Sequence, residues 1–280
     1  MGSQGLTVQV RGLGAGGDGV ATLPDGRAVF IPRTAVGETV RISIETDRKR
    51  GARGRLLEVL APAPDRREPP CTAYAQCGGC QLQHLTYDAQ LAAKGTRIAD
   101  ALSRIGGIQT ELIDVLPSPH PLGYRSRLRF HLQRGRAGVV TAGFHRHSRP
   151  GTLVDIKDEC LVIDEALQVA WQGLRGGWGA EARLLPRGPS LELLLRSVTG
   201  GVGLTVIGGS RWRDADALLE AVPAVDAIWW RPEGDRELVW IGGAKTLKEV
   251  WNSEELELGG SGFLQANKEA ATTLWDLLVR

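Results

Sequence analysis

Cysteine is scarce in this sequence, and the few present stand in one pattern. Four occur in 280 residues: Cys71, Cys77 and Cys80 close together, and Cys160 far downstream. The first residues do not read as a signal peptide, so two disulfides would lack the oxidising compartment they need, and the expected location is cytoplasmic. Apolar runs are short as well. None approaches the ~20 residues that cross a bilayer as a helix. Tryptophan is missing from the first 170 residues, and all eight fall at or after Trp171. Acidic residues are missing from Tyr124 to Val154, where seven arginines and three histidines stand. From Arg213 to Arg280 the balance reverses, with thirteen acids against seven Lys plus Arg. The net charge of +2 conceals this division into a basic middle and an acidic end. At 42% hydrophobic and 24% charged residues, the chain has the composition of an ordinary globular protein of two or three domains.

The cysteines suggest a site. Cys71-Thr72-Ala73-Tyr74-Ala75-Gln76-Cys77-Gly78-Gly79-Cys80 holds one Cys-x2-Cys knuckle, and its glycine pair allows backbone angles that let a loop aim two thiolates at one point. Four thiolates suit tetrahedral zinc or a cubane iron–sulfur cluster. Zinc sites commonly pair two such knuckles, and only one is present here, so the spacing favours the cluster.

Residues 7–60 read as five short strands: Thr7–Arg11, Gly19–Thr22, Ala28–Ile31, Thr39–Ile44 and Arg55–Val59, parted by turns such as Pro24-Asp25-Gly26. Five strands in so short a span predict a small oligonucleotide-binding barrel. Gly12-Leu13-Gly14-Ala15-Gly16-Gly17 matches a dinucleotide-binding fingerprint, but Asp18-Gly19-Val20 leads into a strand where the fingerprint requires a helix. It therefore reads as a hairpin loop. Arg48, Lys49 and Arg50, with Arg53 and Arg55, form either a solvated hairpin tip or a phosphate-contacting loop. Ala61-Pro62-Ala63-Pro64 reads as a linker.

Beyond the cysteine loop, Tyr87–Ile105 has helical periodicity and closes at Gly106-Gly107. Tyr124–Leu132 alternates: Arg125, Arg127, Arg129 and His131 share one face, and Ser126, Leu128, Phe130 and Leu132 the other. An arginine face on a half-buried strand is the strongest nucleic-acid signal in the chain. His145 and His147 join that basic surface, while His84 and His120 read as structural. Leu191–Leu195, Val202–Ile207, Ala227–Trp230 and Leu238–Ile241 read as strands and Asp214–Val222 as a helix. Most tryptophans read as core. A final helix over 266–280 carries Ala270, Leu274, Leu277 and Leu278 on one side.

Cys77-Gly78-Gly79-Cys80-Gln81-Leu82-Gln83-His84, Gly123-Tyr124-Arg125-Ser126-Arg127, Val154-Asp155-Ile156 with Cys160, and Gly262-Phe263-Leu264-Gln265-Ala266-Asn267 occur in one order. In them the chain resembles the iron–sulfur bacterial RNA 5-methyluridine methyltransferases, from about Thr7 to the last residue. The resemblance implies that Cys71, Cys77, Cys80 and Cys160 hold a 4Fe–4S cluster. It implies that the barrel is a TRAM domain that binds RNA, and that Gln265 contacts S-adenosylmethionine. The expected fold is a β-rich α+β chain: a five-stranded OB-like TRAM barrel over 1–62, an iron–sulfur-bearing mixed α/β domain over 63–260, and over 261–280 the first helix of a Rossmann-like methyltransferase domain. That family attacks uracil C6 with a cysteine thiolate outside the cluster, and no fifth cysteine stands here. The expectation is therefore of a chain that binds RNA but is inactive alone, without its catalytic residues, from a monomeric enzyme acting on 23S ribosomal RNA. The alternative is a non-catalytic RNA-binding protein with a structural or redox-sensing iron–sulfur or zinc site.

Overall fold

The computed structural model describes residues 5–49, 51–111, 113–147 and 149–279. Two compact units divide the chain, and Gln76–Gly78 belongs with the second. The first runs to Ala75 and resumes over Gly79–Pro117; the second takes up again at Ser118. These limits cut the chain differently from the three spans expected.

The first unit is built on β1 (Leu6–Leu13), β2 (Gly19–Thr22), β3 (Ala28–Ile31), β4 (Thr39–Arg48) and β5 (Gly51–Ala61). They close into a barrel in the order β1-β2-β3-β5-β4. Period-two alternation fills its interior: Val8, Val10, Val29, Ile31, Val40 and Ile42 point inward and are almost wholly buried. The glycine-rich stretch is the hairpin loop expected. Gly14 N–H donates to Asp18 O at 2.8 Å, Gly17 N–H donates to Gly14 O at 2.9 Å, and Gly17 adopts a φ of +86°.

The segment read as a linker is instead packed. Ala63 is buried with Ala35 and Leu85, and the wholly buried Glu38 reaches toward it. Glu38 accepts from Ala35 N at 2.8 Å and from Arg66 through both Nε and Nη2, the latter at 2.9 Å. Burial opposes the Glu38 charge, yet the Arg66 guanidinium and the backbone amides hold its carboxyl below the usual carboxylate range. After the cysteine loop comes α1 (Tyr87–Gly106). Gly107 ends it in the left-handed region, with Ile108 N bonded to Leu102 O at 3.0 Å. Only Gly95 of this helix is buried; Ile98 and Ile105 are exposed.

The second unit holds β6 (Arg127–Arg134), β7 (Val140–Arg146), β8 (Arg149–Asp155), α2 (Glu165–Gly177), β9 (Ser190–Val198), β10 (Gly201–Ile207), α3 (Ala215–Ala221), β11 (Ala227–Arg231), β12 (Val239–Gly243), β13 (Leu247–Trp251), β14 (Glu254–Leu258) and α4 (Lys268–Val279). Seven strands form one sheet, β12-β11-β10-β9-β6-β7-β8, antiparallel except at β10–β11. β13 and β14 pair as a separate hairpin. Sequence reading missed α2, which is the main cover of the sheet. Leu167, Ala170, Trp171 and Leu174 line its apolar stripe, all at 0% exposure. Trp171 stacks on Phe130 of β6 with centroids 3.7 Å apart and donates from Nε1 to Ile156 O at 3.0 Å. Residues 261–279, expected to open a further domain, lie in the same compact unit as the sheet. Among the described residues no helix is long and apolar enough to cross a membrane.

Removing Arg66 would strand a buried carboxylate, so Arg66→Met should destabilise the first unit by roughly 3 kcal/mol at neutral pH. The folded Glu38 carboxyl lies below its unfolded value of about 4.3. Its contribution is therefore present above that value and lost as pH falls through the folded pKa. Urea melts of parent and variant should converge as the pH falls below the usual carboxylate range. A deficit independent of pH would refute the ion pair.

Candidate functional site

The arginine-faced strand is β6, and its two faces divide as the alternation requires. Leu128, Phe130 and Leu132 turn toward α2, leaving Arg127, Arg129 and His131 on the opposite side. Register places Arg196, Leu194 and Glu192 of β9 opposite them in turn. The basic run lacks acids only in sequence: Glu192 comes across from β9 and pairs with Arg129 at 3.0 Å. Two further arginines of the run serve the fold. Arg134 donates to the carbonyls of Glu181, Gly188 and Ala182 at 3.0, 2.6 and 2.8 Å, and Arg146 to Gln76 Oε1 at 2.6 Å. His131 and His145 lie with ring centroids 4.4 Å apart. Burial, and then the neighbouring His145, lower the pKa of His131.

Gln265 lies above this face, held by its neighbours on both sides. Arg196 donates from Nη1 to Gly259 O at 3.2 Å and from Nη2 to Gly262 O, fixing the turn before Phe263. Ser126 gives both its N–H (2.8 Å) and its Oγ (3.1 Å) to Ala266 O. Asn267 caps α4 through Oδ1, which accepts from Ala270 N at 3.0 Å, and donates from Nδ2 to Ser118 Oγ at 2.9 Å. The Gln265 side chain itself stays exposed and borders two clefts. One, of about 520 Å³, is lined mainly by Val250, Trp251, Phe263, Lys268 and Glu249. The other, of about 280 Å³, is lined by Arg125, Arg127, Arg129 and Phe263. Arg127 lies over the Phe263 ring at 5.9 Å, and Lys268 pairs with the buried Glu249 at 2.6 Å. The structure thus brings Arg125, Arg127, Arg129 and Gln265 to one surface.

Arg196 was missed in the sequence. It is half-buried beneath the loop it holds, and that burial, with Arg127 nearby, lowers its pKa. The alternation of Glu192, Leu194 and Arg196 along β9 is the signal that could have found it. A central node supports the whole arrangement. Ser197 donates from N to Ser126 O at 2.9 Å and from Oγ to Asp164 Oδ2; Asp164 Oδ1 accepts from Leu167 N at 2.9 Å, capping α2.

The cysteines divide between the two units: Cys71 and Cys80 lie in the first, Cys77 and Cys160 in the second. No disulfide joins any of them. Gly78 N bonds to His145 O at 2.9 Å, and a β-carbon on Gly78 would lie 2.8 Å from that oxygen. The glycine serves close backbone approach, since neither Gly78 nor Gly79 takes the positive φ expected. Cys160 is clamped by Gln168 of α2, whose Oε1 accepts from Cys160 N at 3.0 Å and whose Nε2 donates to Asp158 O at 3.1 Å. Among the described residues no three His, Cys, Asp or Glu side chains are grouped to hold a metal. The 4Fe–4S expectation therefore rests on sequence spacing alone. Arg48 and Lys49 stand exposed at the end of β4, and Arg50 lies outside the described residues. His84 is buried, its Nδ1 2.7 Å from Tyr74 Oη and its Nε2 3.2 Å from Thr34 O.

Residues 3–57 match the TRAM domain family. The chain is 33% identical over 294 residues to an uncharacterized RNA methyltransferase of Synechocystis sp., an alignment covering 97% of this chain and 63% of that protein. A Nostoc sp. protein of the same description is 37% identical over 293 residues, covering 98% and 63%. The barrel is thus a TRAM domain, and the chain is similar to bacterial proteins described as RNA methyltransferases. It spans somewhat under two thirds of their length. It also shares its fold with the Pyrococcus abyssi tRNA (uracil-54, C5)-methyltransferase crystallised with S-adenosyl-L-homocysteine, at a TM-score of 0.68 and 23% identity, over 97% of this chain and 64% of that one. Because these matches take in nearly all of the chain, the expectation that it is inactive for want of a catalytic domain finds no support in them.

Asp164→Ala removes both the α2 cap and the acceptor of Ser197. It should lower stability by about 2 kcal/mol in denaturant melts. It should also speed hydrogen exchange across 259–267, which hangs on Ser126. Unchanged exchange there would show that the node does not support Gln265.

Proposed function

We propose that this protein is an S-adenosylmethionine-dependent RNA methyltransferase forming 5-methyluridine in 23S ribosomal RNA, and that these 280 residues supply its RNA-binding surface. The observation that carries the reading is the match of nearly the whole chain to proteins described as RNA methyltransferases, with a TRAM barrel at its start. The surface residues support it. Arg125, Arg127 and Arg129 meet at one cleft, where a phosphate backbone would find charge and donors together. Arg48 and Lys49, exposed at the end of β4, bring the same chemistry to the barrel, and Arg50 follows them in the sequence.

Gln265 suits a cofactor contact. A carboxamide offers both donor and acceptor, and the 520 Å³ cleft beside it lies within the range of small-molecule sites. S-adenosylmethionine, when bound, supplies an electrophilic methyl group. Gln265, held between Gly262 and Ala266, would orient it, and the apolar lining of Val250, Trp251 and Phe263 would exclude water. Four cysteines outside any disulfide match a 4Fe–4S cluster in donor type, and Cys71, Cys77, Cys80 and Cys160 would hold it. A cluster taking all four leaves none of them to attack uracil C6. The protein on this reading is cytoplasmic and monomeric.

Replacing Arg125, Arg127 and Arg129 together by glutamine should weaken binding to single-stranded RNA at least about tenfold, measured by fluorescence anisotropy. The slope of log affinity against log salt should fall by about 0.7 for each arginine that neutralises a phosphate. Unchanged affinity and slope would refute this face as the RNA surface. Protein purified without oxygen should be brown and contain about four irons per chain. Stoichiometric zinc without iron would overturn the cluster.

A further inference from the structure

The glycine-rich loop and one exposed aromatic ring have no part in the surface described above. Phe30 sits on the outer face of the barrel, 39% exposed, between Val20 of β2 and Arg53 of β5 in the strand register. Two glycines border its ring. A β-carbon at Gly14, in the β1–β2 loop, would lie 3.4 Å from the ring atoms Cδ1 and Cε1; one at Gly51, where β5 begins, would lie 3.5 Å from Cε2. Nothing larger than a hydrogen covers the ring from either position. Gly51 also has a φ of +155°, outside the range that residues with side chains adopt. Arg53 is a few ångströms away in register, its side chain 38% exposed and 3.5 Å from Asp18. A flat ring beside a cation, framed by the first hairpin loop and the β4–β5 turn, stands where barrels of this architecture receive oligonucleotides.

We infer that Phe30 is a stacking platform for one unpaired base of the RNA, with Arg53 at the adjoining phosphate. The inference rests on the RNA-binding reading above and adds a second, sequence-tolerant contact to it. A solitary exposed phenylalanine is common on protein surfaces. Here the glycine borders on two sides and the adjacent guanidinium mark out a nucleobase, since every base has a face to stack and a phosphate beside it.

The test uses the whole chain and a fluorescein-labelled single-stranded oligoribonucleotide of about 12 nucleotides, read by anisotropy. Phe30→Ala and Phe30→Leu should each bind about tenfold more weakly, while Phe30→Trp stays within about twofold of the parent. The salt slope should be unchanged in all three, because stacking releases no counterions. Parental affinity in Phe30→Leu would overturn the inference, since leucine keeps apolar area and lacks the ring. Equal weakening in Phe30→Trp would overturn it too, by showing a packing role. If the parent binds and only the triple arginine variant is impaired, the RNA reading stands and this inference falls. If the parent binds no RNA at low salt, both fall.

Discussion

The second unit depends on a knot of hydrogen bonds around Ser126 and Asp164. Ser126 receives the N–H of Ser197 on its carbonyl and gives its own N–H and hydroxyl to Ala266. Asp164 takes the Ser197 hydroxyl and caps α2. In addition, Arg125 N donates to Val162 O at 2.8 Å, and Asp164 N donates to Arg125 O at 3.1 Å. Five stretches of chain therefore meet at two adjacent residues: the start of β6, the end of β9, the segment following Cys160, the N-terminus of α2 and the run into α4. Groups in such a knot satisfy one another away from water, so losing one leaves others unpaired. This explains why residues so far apart in sequence as Cys160 and Gln265 answer to the same few bonds.

The first unit has a comparable dependence on charge. Glu38 sits wholly buried at the start of the turn into β4, and it is tolerable there only because Arg66 and two backbone amides meet it. The pair ties the chain beyond β5 back to the barrel, and converts a proline-rich stretch into packed structure. Proline composition describes the unfolded preferences of such a segment; the ion pair decides where it lies.

Much of the architecture was legible because it follows from period. Alternating valine and isoleucine in a strand segment bury one side whatever the fold, so β2 and β3 appear in the sequence at their observed limits, and β1, β4 and β5 as shorter segments within theirs. The helix over 87–106 announces itself by apolar spacing and its glycine stop. The split of Arg127, Arg129 and His131 from Leu128, Phe130 and Leu132 is likewise inherent in a strand. What stayed hidden depends on partners. α2 carries glycines and polar residues among its apolar ones, and its stripe has meaning only against Phe130 and the sheet. Glu192 neutralises Arg129 from a strand more than sixty residues away, which no local charge count reveals. Arg196 looks like any arginine until its guanidinium is seen holding two loop carbonyls.

By itself, then, the sequence determined the barrel strands, the helix after the cysteine loop and the arginine-faced strand, which of their faces are apolar, and which residue types bear chemistry: four thiols, a run of arginines, and Gln265 between two small-residue anchors. These are local properties, carried by side-chain size, polarity and backbone preference over a few residues. Tertiary structure alone decided that Arg125, Arg127 and Arg129 border the same cleft as Gln265, that Arg134 and Arg146 are withdrawn from it, and that Phe30 stands open beside Arg53. Those outcomes depend on strand register and loop closure, where one residue of slip would turn each side chain to the opposite face.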